Sequence, residues 1–333
     1  MNASTIPTIP TIDLSLWRSG DEQERDRLAT LVDQALERAG FLLVTGHGVH
    51  PDLSAALRTA ARVFFHQPVD VKQAFLAEAL GHYGWSGPGA VAAGRAEGLM
   101  TPPDLVETWS AAPAPWDTAD GRPEPGLLPR SWPSQPPELR SLVAQYVRAM
   151  RVLAGELLEL LAAALRQPLD FFTRHTTHPD WTLTLNWYPP VSAAGAPRPG
   201  QFRVGPHTDF GTVTVLDRQP GKGGLQIHTQ DDGWQDAPYD PEALTINIGD
   251  LMARWTGDRW RSGRHRVLAP PTDVTSEELL SLVYFFDCDP DTLVASIPAP
   301  IGRVSHPPVT ARAYVRSKVA EIAIPVPVSK SRL

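Results

Sequence analysis

A single cysteine, Cys288, stands in 333 residues. That scarcity excludes an internal disulfide and any zinc or iron–sulfur site built from several cysteines. Lysine is nearly absent too, at Lys72, Lys222, Lys318 and Lys330. The 30 basic residues face 37 acidic ones, for a net charge of −7, and no basic run or basic helix face is present. Nucleic acid is therefore not an expected partner. No apolar run approaches the length of a membrane span, and residues 1–20 lack the charged start and apolar core of a signal peptide. The expectation is a cytoplasmic protein that acts on a small molecule.

Apolar residues at helical spacing (Leu28, Leu31, Val32, Ala35, Leu36) predict a helix over 24–39, capped by Gly40. A short strand precedes it at 6–14, and another follows at 41–44. Pro51 suits the first turn of a helix over 51–66, and a third helix begins near Val69. Residues 80–135 are rich in glycine and proline and read mostly as loop. A long amphipathic helix is expected over 137–166, with Leu139, Leu142, Val143, Tyr146 and Met150 beginning its buried stripe.

After Asp180 the pattern changes to short β-rich segments at 181–188, 202–206, 212–217, 224–228, 243–248, 265–269 and 279–287, with a last helix over 309–322. Such spacing points to an antiparallel sandwich or barrel. The fold class is α+β, with helices around a β-barrel core. The division expected is a helix-rich region at 1–179, a core at 180–307 and a C-terminal helix and tail at 308–333.

Within that core, His207-Thr208-Asp209 sets two metal-binding side chains on one face of an extended segment. His265, at the start of another strand, is the candidate third ligand. Two histidines and one carboxylate on one face of an octahedron leave three positions open, the arrangement of non-haem Fe(II) oxygenases. The other histidines (His47, His50, His66, His82, His175, His178, His228, His306) lack a second ligand in a comparable extended context. On strand 181–188, Thr184, Asn186 and Tyr188 share one face, and Leu183, Leu185 and Trp187 share the other.

Several segments together resemble the isopenicillin N synthase-like family of 2-oxoglutarate- and iron-dependent dioxygenases. They are Ile9 to Leu14, Gly40-Phe41 through Gly46-His47-Gly48-Val49, Phe64-Phe65 through Lys72, Asn186-Trp187-Tyr188-Pro189-Pro190, Gly205 to Asp209, Gly223 to Ile227, Asn247 to Asp250, and Ser262 through Val267. The resemblance implies a double-stranded β-helix (jelly roll) with Fe(II) at its mouth, and His207, Asp209 and His265 as ligands. It also implies 2-oxoglutarate and O2 as co-substrates, with Asn186, Tyr188 and Ser281 around the 2-oxoglutarate. No catalytic residue beyond the metal ligands is required. The outcome would be hydroxylation, desaturation or ring closure at a C–H bond.

One position departs from the family. Members that use 2-oxoglutarate usually carry Arg-x-Ser after the distal histidine, and here the segment is Leu279-Leu280-Ser281. No lysine or arginine occurs between Val267 and Gly302. Either a basic residue on another strand meets the far carboxylate, with Arg218 preferred over Lys222 and Arg203, or the enzyme is an oxidase that needs no keto acid. A catalytically silent metal-binding module and a cupin-like zinc isomerase or hydrolase are the further alternatives.

Overall fold

The computed structural model describes residues 9–77, 83–114, 126–129 and 131–322. The first strand, β1 (Thr11–Asp13), passes directly into a short helix, α1 (Leu14–Ser19), where the Asp13 side chain accepts from the Ser15 amide. Helix α2 (Glu22–Arg38) is capped by Asp21, whose carboxylate accepts from the Glu24 amide. It ends at Gly40, which has φ of +72°, a conformation that favours glycine. Strand β2 (Phe41–Thr45) is followed by α3 (Pro51–Phe65) and α4 (Val69–Gln73), with His50 capping α3.

The stretch 80–135 is the main correction to the sequence reading. It contains β3 (Gly84–Ser86), a 3-10 turn over Ala93–Glu97, β4 (Glu107–Pro113) and β5 (Leu127–Leu128). Strand β4 alternates buried and half-buried residues, but its first inward residue is a charge, Glu107. That carboxylate is buried because Lys72 meets it at 2.6 Å. His82 lies outside the described residues.

After helix α5 (Leu139–Ala164) come β6 (Trp181–Tyr188), β7 (Val204–His207), β8 (Val213–Asp217), β9 (Leu225–Thr229), β10 (Gly233–Asp236), β11 (Leu244–Ile248), β12 (His265–Val267) and β13 (Leu279–Phe286). Nearly all of these fall within two residues of the segments read from the sequence. β10 is the addition, a short hairpin arm turned by Gly233.

The larger sheet runs β1-β2-β11-β8-β13-β6-β4-β3, and the smaller one β10-β9-β12-β7. Only β1 with β2 is parallel within these sheets. The core follows from strand alternation. Leu183, Leu185, Trp187, Val215, Ile246, Leu280, Leu282 and Tyr284 lie in one buried cluster with the apolar faces of α2, α3 and α5. The opposite face of the same strands carries Asn186, Thr214, Asn247, Ser281 and Val283. That face looks onto the smaller sheet, and the two enclose the lumen of a jelly roll.

Candidate metal centre

Strands β7 and β12 are antiparallel neighbours, and His207 and His265 are register partners across them. Asp209 follows β7 by two residues. One donor atom from each of these three residues lies within 4.8 Å of the others, the one such grouping among the described residues. His207 Nε2 is 3.6 Å, and His265 Nε2 3.9 Å, from Asp209 Oδ1.

Each ligand is held from behind. His207 Nδ1 is 2.8 Å from the carbonyl oxygen of Gly205, and His265 Nδ1 is 2.9 Å from that of Gly263. A carbonyl oxygen only accepts, so each Nδ1 carries the hydrogen and each Nε2 presents its lone pair. Asp209 Oδ2 accepts from Thr214 Oγ1 at 2.6 Å and from Asn247 Nδ2 at 2.7 Å. Oδ1 is thereby left facing the histidines. Phe41 packs edge-on against His265, with ring centroids 5.5 Å apart.

The electrostatics suit metal capture. Burial lowers the His207 imidazole below its ordinary value, and His265 adds to that, against Asp209, the Gly205 carbonyl and Asp104. Burial alone would raise the Asp209 carboxyl, but His265, His207, Thr214 and Asn247 outweigh it and the net direction is down. Neutral imidazole beside ionised carboxylate is the form that binds a cation. Two imidazole nitrogens and one carboxylate oxygen, converging from one side, fit Fe(II).

Asp104 was not singled out from the sequence. Its two oxygens accept from the amides of Gly205 (3.0 Å) and Ala93 (2.9 Å), tying the 3-10 turn to β7 behind His207. Burial pushes its carboxyl up to about 6, against those two amides and His207. The signal for it was faint, one acid in the loop-like segment Thr101-Pro102-Pro103-Asp104.

On the larger sheet, Ser281 is the register partner of Asn186, and Leu279 of Tyr188. Ser281 and Tyr188 are buried, and Asn186 Oδ1 is enclosed without a hydrogen-bond partner among the described residues. Burial raises the Tyr188 phenol, while Asn186, Arg203 and Ser281 hold it down. The orphaned amide oxygen among three hydroxyl- or amide-bearing side chains is a place for a polar small molecule.

The candidate cations part company here. Arg218, just past β8, donates through Nη2 to the carbonyl oxygens of Ala237 (3.1 Å) and Pro238 (2.5 Å) and lies over the Tyr239 ring. Strand alternation sets it on the lumen side, but the chain turns after Asp217 and the guanidinium follows the β10–β11 connection. Lys222 is exposed, and its amide donates to Glu277. Arg203, like Lys222 a weaker option than Arg218 from the sequence, is fully buried, with its guanidinium 5.4 Å from the Tyr188 ring centroid.

Four of the histidines set aside earlier have ordinary roles. His50 caps α3, His66 meets Glu278, His306 meets Asp258, and His228 packs on Trp234. Among the described residues no helix is long and apolar enough to cross a membrane.

Comparison with known proteins agrees with this geometry. A family profile described as "2OG-Fe(II) oxygenase superfamily" matches residues 177–287. A second, "non-haem dioxygenase in morphine synthesis N-terminal", matches residues 9–135. The chain is 42% identical over 296 residues to validamycin A dioxygenase from Streptomyces hygroscopicus subsp. limoneus, covering 89% of this chain and 81% of the relative. It is 30% identical over 310 residues to the 2-oxoglutarate-dependent dioxygenase frbA from Dothideomycetidae sp. (strain 11243), covering 87% and 89%. Among solved structures it is similar to a full-length Neurospora crassa protein crystallised in complex with alpha-KG, with a TM-score of 0.79, 25% identity, and coverage of 94% of this chain and 96% of that one.

Proposed function

This chain belongs to the 2OG-Fe(II) oxygenase superfamily, and from that premise we infer that His207, Asp209 and His265 hold its iron while Asn186, Tyr188 and Ser281 line the 2-oxoglutarate pocket. The protein is a 2-oxoglutarate-dependent dioxygenase of a small organic substrate. The observation that carries the residue assignment is the convergence of two Nε2 lone pairs and Asp209 Oδ1, each fixed from behind by its own hydrogen bond.

Bound Fe(II), with 2-oxoglutarate and O2, supplies the oxidant for a C–H bond, and the keto acid leaves as succinate and CO2. The chain's own contribution is positioning and exclusion of water. The carbonyls of Gly205 and Gly263 fix both imidazole planes. Thr214 and Asn247 hold the carboxylate to one free oxygen. Phe41, Leu216, Val283 and Phe285 make the lumen wall apolar, while Asn186, Tyr188 and Ser281 offer hydrogen bonds to the co-substrate.

The test is anaerobic Fe(II) titration of wild type and of His207→Ala, Asp209→Ala and His265→Ala, followed by O2 and assay of succinate. Each variant should lose stoichiometric Fe(II) binding and turnover while keeping its melting temperature. Near wild-type Fe(II) affinity in any two of them would remove the assignment. Validamycin A, for which the 42% relative is named, is the first substrate to try, read as a mass change coupled to succinate.

A further inference from the structure

The pocket just described needs a cation. 2-Oxoglutarate carries a second carboxylate beyond its keto-acid end, and an unpaired charge inside a protein costs several kcal/mol. Leu279 stands where the family's arginine would, and it has no charge. We propose that Arg203, delivered from the opposite sheet, is the residue that binds the far carboxylate; this rests on the 2-oxoglutarate reading above.

Four observations point to it. First, Arg203 immediately precedes β7, the strand that ends at His207, and its amide donates to the Val267 carbonyl of β12 at 2.9 Å, so its backbone is held in the sheet that carries both histidines. Second, it reaches the right place. Its guanidinium lies over the ring of Tyr188, which is the register partner of Leu279. The turn that closes this end of the lumen touches both, since Gly221 lies against Leu279 and Gly223 against Arg203.

Third, the guanidinium is held and only half used. Nη1 donates to Glu277 Oε1 at 2.8 Å and to the Gly223 carbonyl at 3.3 Å. Nη2 is buried with no hydrogen-bond partner among the described residues. A side chain exposed by only 2% with an idle N–H group is costly unless something else meets that group. A carboxylate is the natural acceptor for an arginine fork.

Fourth, Glu277 does not depend on Arg203 alone. The amides of Lys222 and Gly223 also donate to it, and together with Arg203 they hold its carboxyl below the ordinary value despite its burial. Glu277 therefore orients Arg203 without needing its whole charge. Arg218 is placed differently, with its Nη2 committed to two carbonyl oxygens beside Tyr239.

The experiment is anaerobic calorimetric titration of the Fe(II)-loaded protein with two probes. 2-Oxoglutarate has the far carboxylate, and 2-oxobutyrate has the same keto-acid end without it. Arg203→Met should weaken 2-oxoglutarate binding about a hundredfold or more, with 2-oxobutyrate and Fe(II) affinities unchanged. Arg218→Met should stay within about threefold of wild type for both keto acids.

The proposal is overturned if Arg203→Met binds 2-oxoglutarate like wild type, if it loses both keto acids equally, or if Arg218→Met shows the hundredfold loss instead. Should Arg203→Met not fold, Arg203→Lys keeps the charge and loses the fork. It should weaken 2-oxoglutarate alone by about tenfold, and equal affinity would count against the anchor. A wild-type protein that binds Fe(II) but neither keto acid would overturn the co-substrate reading itself, an outcome distinct from failure of Arg203.

Discussion

Asn247 Nδ2 donates to Asp209 Oδ2 across 2.7 Å, from a strand in the middle of the larger sheet to a loop at its end. Thr214 donates to the same oxygen from the adjacent strand. The carboxylate is therefore oriented before any metal arrives, and Oδ1 alone faces the two imidazoles.

Removing those donors should loosen the metal without removing a ligand. Asn247→Ala and Thr214→Val are each expected to lower Fe(II) affinity by about 10- to 100-fold. Anaerobic titration measures it, with the melting temperature as control. Wild-type affinity in both would mean that Asp209 is oriented by something else.

Gly249 fills a position where a side chain has no room. A Cβ there would press on the backbone oxygens of Gly211 and Asp209, the loop that presents the carboxylate. Gly249→Ala should cost about 1–3 kcal/mol of stability and weaken Fe(II) binding as well. Loss of stability with intact metal affinity would show that the loop shifts as a unit.

Asp287 gives the protein a pH dependence. Its Oδ1 accepts from the Thr212 amide at 2.7 Å. Burial, with Asp180 and Asp209 nearby, pushes its carboxyl up to about 7 from the ordinary 3.8, against that amide. Between those values the native state holds a proton that the unfolded chain has lost. This contribution to stability is complete below about 4 and is lost as pH rises through about 7, at no more than about 1.4 kcal/mol per pH unit. Asp287→Asn keeps an acceptor for Thr212 and has no proton to lose. Its melting temperature relative to wild type should rise between pH 5 and pH 8; a constant difference would place the titration elsewhere.

Lys72 and Glu107 form an ion pair with both side chains nearly inaccessible, at 2.6 Å. Trp85 Nε1 donates to the same carboxylate oxygen at 2.9 Å. Lys72→Met leaves that carboxylate without its cation and should cost about 3–5 kcal/mol. The double variant Lys72→Met/Glu107→Gln should recover most of the loss in chemical denaturation. Equal destabilisation of single and double variants would assign the effect to packing against Trp85 and Trp187 instead.

The triad was legible in the sequence because its chemistry is local. His207 and Asp209 share a face by spacing alone, and His265 opens a strand of the right character. The residues that steady them were not legible, because each belongs to another strand or loop. Asn247 is 38 residues from Asp209, and Gly205 is 101 from Asp104. β4 was hidden for a related reason, since an inward Glu107 reads as surface until Lys72 is seen beside it. Arg218 was preferred to Arg203 because it ends the strand that follows the first metal motif. Alternation holds only to the end of a strand, and β8 ends at Asp217. Arg203 lies before β7, and the register of β7 with β12 shifts between His207 and Val204, so spacing from His207 could not orient it.

The larger sheet has a consequence for how the chain can be divided. β11 is flanked by β2, and β6 by β4, so the strands of the oxidising chamber have no free rim in that sheet. A fragment starting at residue 180 would bare a row of N–H and C=O groups along each of β11 and β6. Rows of that kind recruit other chains into extended aggregates. The N-terminal strands thus act as bookends, and cutting them away would yield insoluble material rather than a smaller enzyme.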